Sequence, residues 1–170
     1  IGYHALGEGT LTGDENVAIG QQSMADATSA NKNVAIGQKT VEKITEGASN
    51  VIIGHEAGVL LTTTSENVSI GASSMGIADT NASTAVGYKA MNNASSQNSV
   101  AIGAYALRTG SNHYNVAVGM SAMTKVSGGA GGVAVGYQAG YHPVGNYNTW
   151  VGYNAGFGTA GSSADSNVGV

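Results

Sequence analysis

Ten glycines, each preceded by Ile or Val, recur along the 170 residues at Gly2, Gly20, Gly37, Gly54, Gly71, Gly87, Gly103, Gly119, Gly136 and Gly152. The interval is 18 residues for the first pair and 16 or 17 for the others. A fixed period of this length restricts the chain to a stacked repeat architecture, because one such unit cannot bury an apolar face alone. Four residues before the glycine stands Asn, at Asn16, Asn33, Asn50, Asn67, Asn115 and Asn148, and also at Asn167 if the truncated last copy is counted, with Ser83, Ser99 and Gly132 as replacements. Val or Thr follows, then a small residue that is usually Ala, then Ile or Val. Val-x-Ile alternation is the period-2 pattern of a strand with one buried face, and β-branched residues suit that surface. The expectation is that Val17 and Ile19 face a core. Ala18 and its equivalents then face a second, closely packed surface. Ile52 and Trp150 depart from the rule of a small central residue.

The third residue after each glycine is small throughout, from Ala5, Ser23 and Thr40 to Ala155. The fourth is Leu6, Met24, Val41, Gly58, Met75, Met91, Leu107, Met123, Gly140 or Gly156. This position reads as a second apolar element packed on the Val/Ile strand. A spacer rich in Ser, Thr, Asn and Gly closes the unit and reads as turn or loop. Each repeat is therefore expected to be a strand, a glycine bend, a short second strand and a loop. Parallel, in-register circuits stack ~4.8 Å apart. The fold expected is an all-β parallel β-roll or β-solenoid of about ten rungs of 16–17 residues, with residues 1–170 as a single repeat array. Stacked Asn amides can bond to one another and to turn backbone along the axis. The array opens inside one repeat and closes inside another, so it reads as a fragment of a longer fibrous protein.

Rival folds fit less well. Glycine in every repeat and the lack of a sustained 3.6-residue apolar period argue against helices. A hexapeptide β-helix would repeat at a multiple of six. The 27 glycines and 9% charged residues would fit disorder, but the periodic Val and Ile supply a continuous apolar seam. No run of 18 apolar residues is present, which argues against membrane insertion as a helix. A formal net charge of −4 gives no basic footprint for nucleic acid. The chain has no Cys, hence no disulfide and no thiolate metal ligand. The core of each rung is thin, so a cyclic oligomer is expected, with the small Ala face as its contact surface.

The Asn-x-Val-Ala-Ile-Gly motif resembles the head repeats of trimeric autotransporter adhesins of the YadA type. It is equally similar to bacteriophage tail-fibre repeats. The match is carried by Ser83 to Met91, by Val133 to Gly140, and by Asn148-Thr149-Trp150-Val151-Gly152-Tyr153-Asn154-Ala155-Gly156. The resemblance covers the whole chain. It implies a left-handed roll, three chains about a common axis, and a place on a virion or on a bacterial cell surface. It implies a homotrimer that binds a host cell-surface glycan or protein receptor and other fibre or virion proteins, without catalysis. Adhesin heads repeat at about 14 residues, so the longer period here favours the tail fibre. An adhesin head binding host surface or matrix is the alternative. A polysaccharide-degrading tail-spike segment is a third reading.

Local chemistry is sparse. Tyr137, Tyr141, His142, Tyr147, Trp150, Tyr153 and Phe157 crowd two adjacent rungs. Such rings either stack on sugars of a receptor or form a packed ladder at a corner or interface. His4, His55, His113 and His142 fall at different repeat positions, so no metal site is expected within one chain. Glu8, Asp14, Glu15, Asp26, Glu42, Glu46, Glu66, Asp79 and Asp165 fall in spacers and read as solvated loops. No carboxylate pair stands out for glycoside hydrolysis. Gly128 to Gly132 lacks the Lys-Ser/Thr of a phosphate loop. No catalytic residue and no cofactor is expected. Thr62-Thr63-Thr64 reads as a single spacer that does not recur at one position, which speaks against a threonine array of the ice-binding kind.

Overall fold

The computed structural model describes residues 1–7, 11–77, 80–111, 113–142, 145–158 and 165–170. Glu8 and Asp79 lie outside the described residues. Among the described residues twelve short strands are present: β1 (Val17–Ile19), β2 (Val34–Ile36), β3 (Val51–Ile53), β4 (Val68–Ile70), β5 (Thr84–Val86), β6 (Asn93–Ala94), β7 (Val100–Ile102), β8 (Thr109–Gly110), β9 (Val116–Val118), β10 (Val133–Val135), β11 (Thr149–Val151) and β12 (Val168–Gly169). Ten of them form one parallel sheet in the order β1-β2-β3-β4-β5-β7-β9-β10-β11-β12, and β6 pairs β8 in a small second sheet. Register is kept rung by rung: Val17 pairs Val34, Ala18 pairs Ala35 and Ile19 pairs Ile36. The fold is a parallel β-solenoid of about nine turns, without helix among the described residues. At ~4.8 Å for each step the sheet is roughly 45 Å long.

The repeat glycine has two reasons to be glycine. Its φ lies between 127° at Gly103 and 142° at Gly54, where a side chain is strained. A Cβ on Gly71 would also lie 2.5 Å from the carbonyl oxygen of Gly87 one rung on. Beyond the glycine the structure departs from the expected second strand. Residues two and four places on, such as Gln22 (φ 56°) and Met24 (φ 54°), adopt the left-handed conformation and fold the segment into consecutive turns. The residue before the ladder Asn is left-handed too, as at Lys32 (φ 56°) and Glu66 (φ 63°). These corners bend the chain into a narrow circuit. Val41, at φ 41°, is a β-branched residue held in this costly region.

The faces of the strand are the reverse of the sequence expectation. The central residue points inward: Ala35, Ala85, Ala101, Ala117 and Ala134 are fully buried, as are Ile52 and Ser69. The flanking Val and Ile point outward from the single chain, Val17 at 46% exposure, Ile70 at 39% and Ile102 at 41%. The physical reason is the width of the circuit. Across each rung the central residue meets the fourth residue after the glycine, and Met24, Val41, Met75, Met91, Leu107 and Met123 fill that space from the other side. Only an Ala- or Ser-sized partner then fits. Where the central residue is large, the opposite position is glycine. A Cβ at Gly58 would meet Ile52 Cγ2 at 3.3 Å, and one at Gly156 would overlap the Trp150 ring. The small Ala column is thus interior, and the expected Ala contact surface is not a surface. From the spacers, Ile44, Leu61, Ala94 and Val126 add to the core.

The Asn column forms a buried ladder that is interrupted at Gly132. Asn33, Asn50 and Asn67 each donate both backbone N and Nδ2 to the Oδ1 of the preceding Asn, at 2.9–3.1 Å. Nδ2 also donates across the corner to a carbonyl, as from Asn50 to Thr64 at 2.9 Å. Serine continues the column with its hydroxyl oxygen as acceptor: Ser99 N donates to Ser83 Oγ and Asn115 N to Ser99 Oγ, while the hydroxyls themselves donate to backbone carbonyls. An amide suits this role because it offers donor and acceptor ends far enough apart to span one rung.

Candidate functional site

The aromatic residues singled out in sequence do not share one site. Tyr137 and Tyr153 follow successive repeat glycines, so in-register stacking places one above the other. Their rings are stacked, with centroids 5.1 Å apart and planes at 15°. Tyr153 is 75% exposed. Tyr141 and Phe157 form a second axial pair, 5.2 Å apart and tilted by 31°, with His142 against both rings. The ammonium of Lys125 lies 5.6 Å from the Tyr141 centroid, a cation–π distance. Tyr147 occupies the corner before the ladder Asn, exposed, with its ring over Gly131 of the preceding rung. Tyr114 holds the same corner two rungs earlier and is also exposed. Trp150 turns the other way: it is the central residue of β11 and packs on the core between Gly140 and Gly156. A ligand on the outside therefore meets ring edges and the outer faces of Tyr153 and Phe157, and Trp150 is withdrawn.

A further aromatic group lies outside the cluster singled out in sequence. Tyr88 and Tyr105 meet edge to face at 5.4 Å, flanked by Lys89 and Arg108 at 5.1 and 5.6 Å from the respective rings. Their sequence signal is position: they stand one and two places after successive glycines, on one corner of the rod. Threonine was underread. Thr12, Thr28, Thr45 and Thr62 stack in consecutive rungs, and each of the first three donates its hydroxyl to the next one's carbonyl. Thr62 therefore does recur at one position, at the 17-residue period of Thr28 and Thr45. These hydroxyls are already spent on the backbone.

The four histidines stay apart in the stack. His113 Nδ1 accepts from Gln97 N at 3.0 Å, and His4 lies edge-on to Tyr3. No group of three His, Cys, Asp or Glu able to hold a metal ion occurs among the described residues. A cleft at the first rungs, about 470 Å³, is lined by His4, Gln22, Asp26, Thr28 and Glu42. Its two carboxylates sit one rung apart on neighbouring turns, joined through the backbone bond from Asp26 N to Glu42 O. No helix long and apolar enough to cross a membrane occurs among the described residues.

The dominant surface feature is the outer face of the long sheet. Two parallel columns, Val or Thr in one and Ile or Val in the other, run the length of the rod without a charged residue. No family model, curated protein or solved structure matches the chain.

Proposed function

We propose that this chain is a structural and host-attachment segment of a bacteriophage tail fibre, working as a homotrimer packed along its Val/Ile faces. The observation that carries the reading is the uncovered double column on the ten-stranded sheet. Parallel apolar columns of this length mark an interaction surface. A periodic column with a ~4.8 Å repeat is best matched by another copy of the same chain, whose side chains rise at the same interval. The flanking Val and Ile are partly exposed, with Val17, Ile19, Ile70, Ile102 and Val151 near 40%, so each leaves a further fraction of its ~1.5–3 kcal/mol to be gained by burial. That gain offsets the thin interior of each rung.

The repeat motif supports the fibre reading by resemblance, with three copies and a virion location. Receptor contact falls to the corners that such packing leaves outside, where Tyr137, Tyr141, His142, Tyr147, Tyr153 and Phe157 vary the surface. An adhesin head would use the same sheet face and differ in the segments attached to it.

Light scattering of the purified chain gives the test. A species of three chains at micromolar concentration is expected, and a folded monomer overturns the proposal. Binding of that species to host cells, competed by their surface polysaccharide, is expected for the attachment role. Stable trimers that bind neither bacterial nor animal cells would leave a purely structural shaft.

A further inference from the structure

We infer that the interior of the rod holds a file of ordered water molecules along Thr64, Thr80 and Ser96. These residues occupy the same place in consecutive rungs, three positions before the ladder residues Asn67, Ser83 and Ser99. Their carbonyls are used identically: Thr64 O accepts from Asn50 Nδ2, Thr80 O from Asn67 Nδ2 and Ser96 O from Ser83 Oγ. Their side chains differ from the rest of the column, where the earlier rungs carry Ala30 and Gly47. Thr64 is 4% exposed, and Thr80 and Ser96 are fully buried. All three hydroxyl oxygens lack a hydrogen-bond partner within the chain.

Three orphans in one column are not an accident of one rotamer. In-register stacking puts equivalent atoms ~4.8 Å apart. Hydroxyls bond at ~2.5–3.0 Å, so two in a column cannot reach each other. Asn escapes this limit because its amide spans the gap, as the ladder beside them shows. Ser69 and Ser74 escape it by pairing across a rung instead of along the axis. A water set off the column axis reaches two hydroxyls 4.8 Å apart with arms of ~2.8 Å. One such water between Thr64 and Thr80, and another between Thr80 and Ser96, satisfies all three groups. Thr80 then serves both, donating to one and accepting from the other. Buried waters of this kind occur at about one per 27 residues and bond to otherwise unsatisfied polar groups.

Thr80→Val tests the inference by the sign of its effect. Valine keeps the shape and removes the hydroxyl. With waters in place, two bridges lose a partner and the melting temperature falls, by about 2–4 °C for a chain of this size. In a dry interior, valine removes an unsatisfied group and the melting temperature rises. Thr80→Ser retains the hydroxyl and is expected to keep the bridges. A rise with Thr80→Val overturns the inference. A crystal structure of the unaltered chain, resolving ordered solvent, provides the second measurement. Density within ~3 Å of both Thr64 Oγ1 and Thr80 Oγ1, and of both Thr80 Oγ1 and Ser96 Oγ, is expected. An empty interior overturns it. So does density that changes when sodium is exchanged for potassium, which would make the occupant a cation.

Discussion

At Gly71 a methyl group would have to occupy space held by the Gly87 carbonyl, 2.5 Å from its oxygen. That contact is with backbone, which cannot yield without opening the stack. The φ of 136° adds its own strain. Gly71→Ala is therefore expected to cost about 3 kcal/mol or more in chemical denaturation. A loss under about 1 kcal/mol would show that neighbouring rungs relax more freely than a close-packed stack allows. The glycine column, the Asn column and the strand positions were all legible in the sequence, because each demand is repeated ten times with few substitutions. The facing of the strand was not. Val-Ala-Ile alternation says that two faces differ, and hydrophobicity points to the larger residues as core. The deciding quantity is interior width, which Val17 and Ile19 do not encode.

Width is encoded one element away. Ala18 stands across from Met24, Ala85 from Met91 and Ala117 from Met123, whereas Ile52 faces Gly58 and Trp150 faces Gly156. A large central residue paired with glycine, and a small one with Met, is the mark of two positions sharing one fixed volume. The pattern was present in the sequence and gains its meaning only when the two positions are known to face each other. Ile52→Ala is expected to leave a cavity costing about 2–5 kcal/mol. Gly58→Met alone overpacks, since a Cβ there already lies 2.8 Å from Val41 Cγ1 and 2.9 Å from Leu61 Cδ1. Together they recreate the Ala/Met pair of other rungs, in which Met adopts φ near 50° as Gly58 does at 61°. The double variant should be more stable than Gly58→Met alone, because it removes Ile52 Cγ2, 3.3 Å from a Cβ at Gly58, while the Val41 and Leu61 contacts remain. Additive losses in this double-mutant cycle would mean that the two sites do not share a volume. The dispersal of the aromatic cluster has a related cause. Residues close in sequence occupy different columns, so Trp150 goes to the core while Tyr153 goes to a corner.

At the scale of the whole rod, the same reversal of faces relocates the effect of a charge. Ile70→Asp places a carboxylate on the outer face, where Ile70 is 39% exposed. A single chain should tolerate it, while packing of copies along that face should fail by burial of an unpaired charge. Light scattering is expected to show loss of the oligomer. Ala85→Asp, by contrast, puts the charge in the interior and should unfold the neighbouring rungs. Unchanged association of Ile70→Asp would move the interface to another side of the rod. One side chain gives this stack a built-in reporter. Trp150 is the chain's single tryptophan, held between Gly140 and Gly156 in the ninth strand of the ten-stranded sheet. Its fluorescence senses only the rungs beside it, whereas circular dichroism averages over all of them. Coincident thermal transitions by the two signals would mean that the rod melts as one unit. An earlier fluorescence transition would mean that it unravels from the end nearer residue 170.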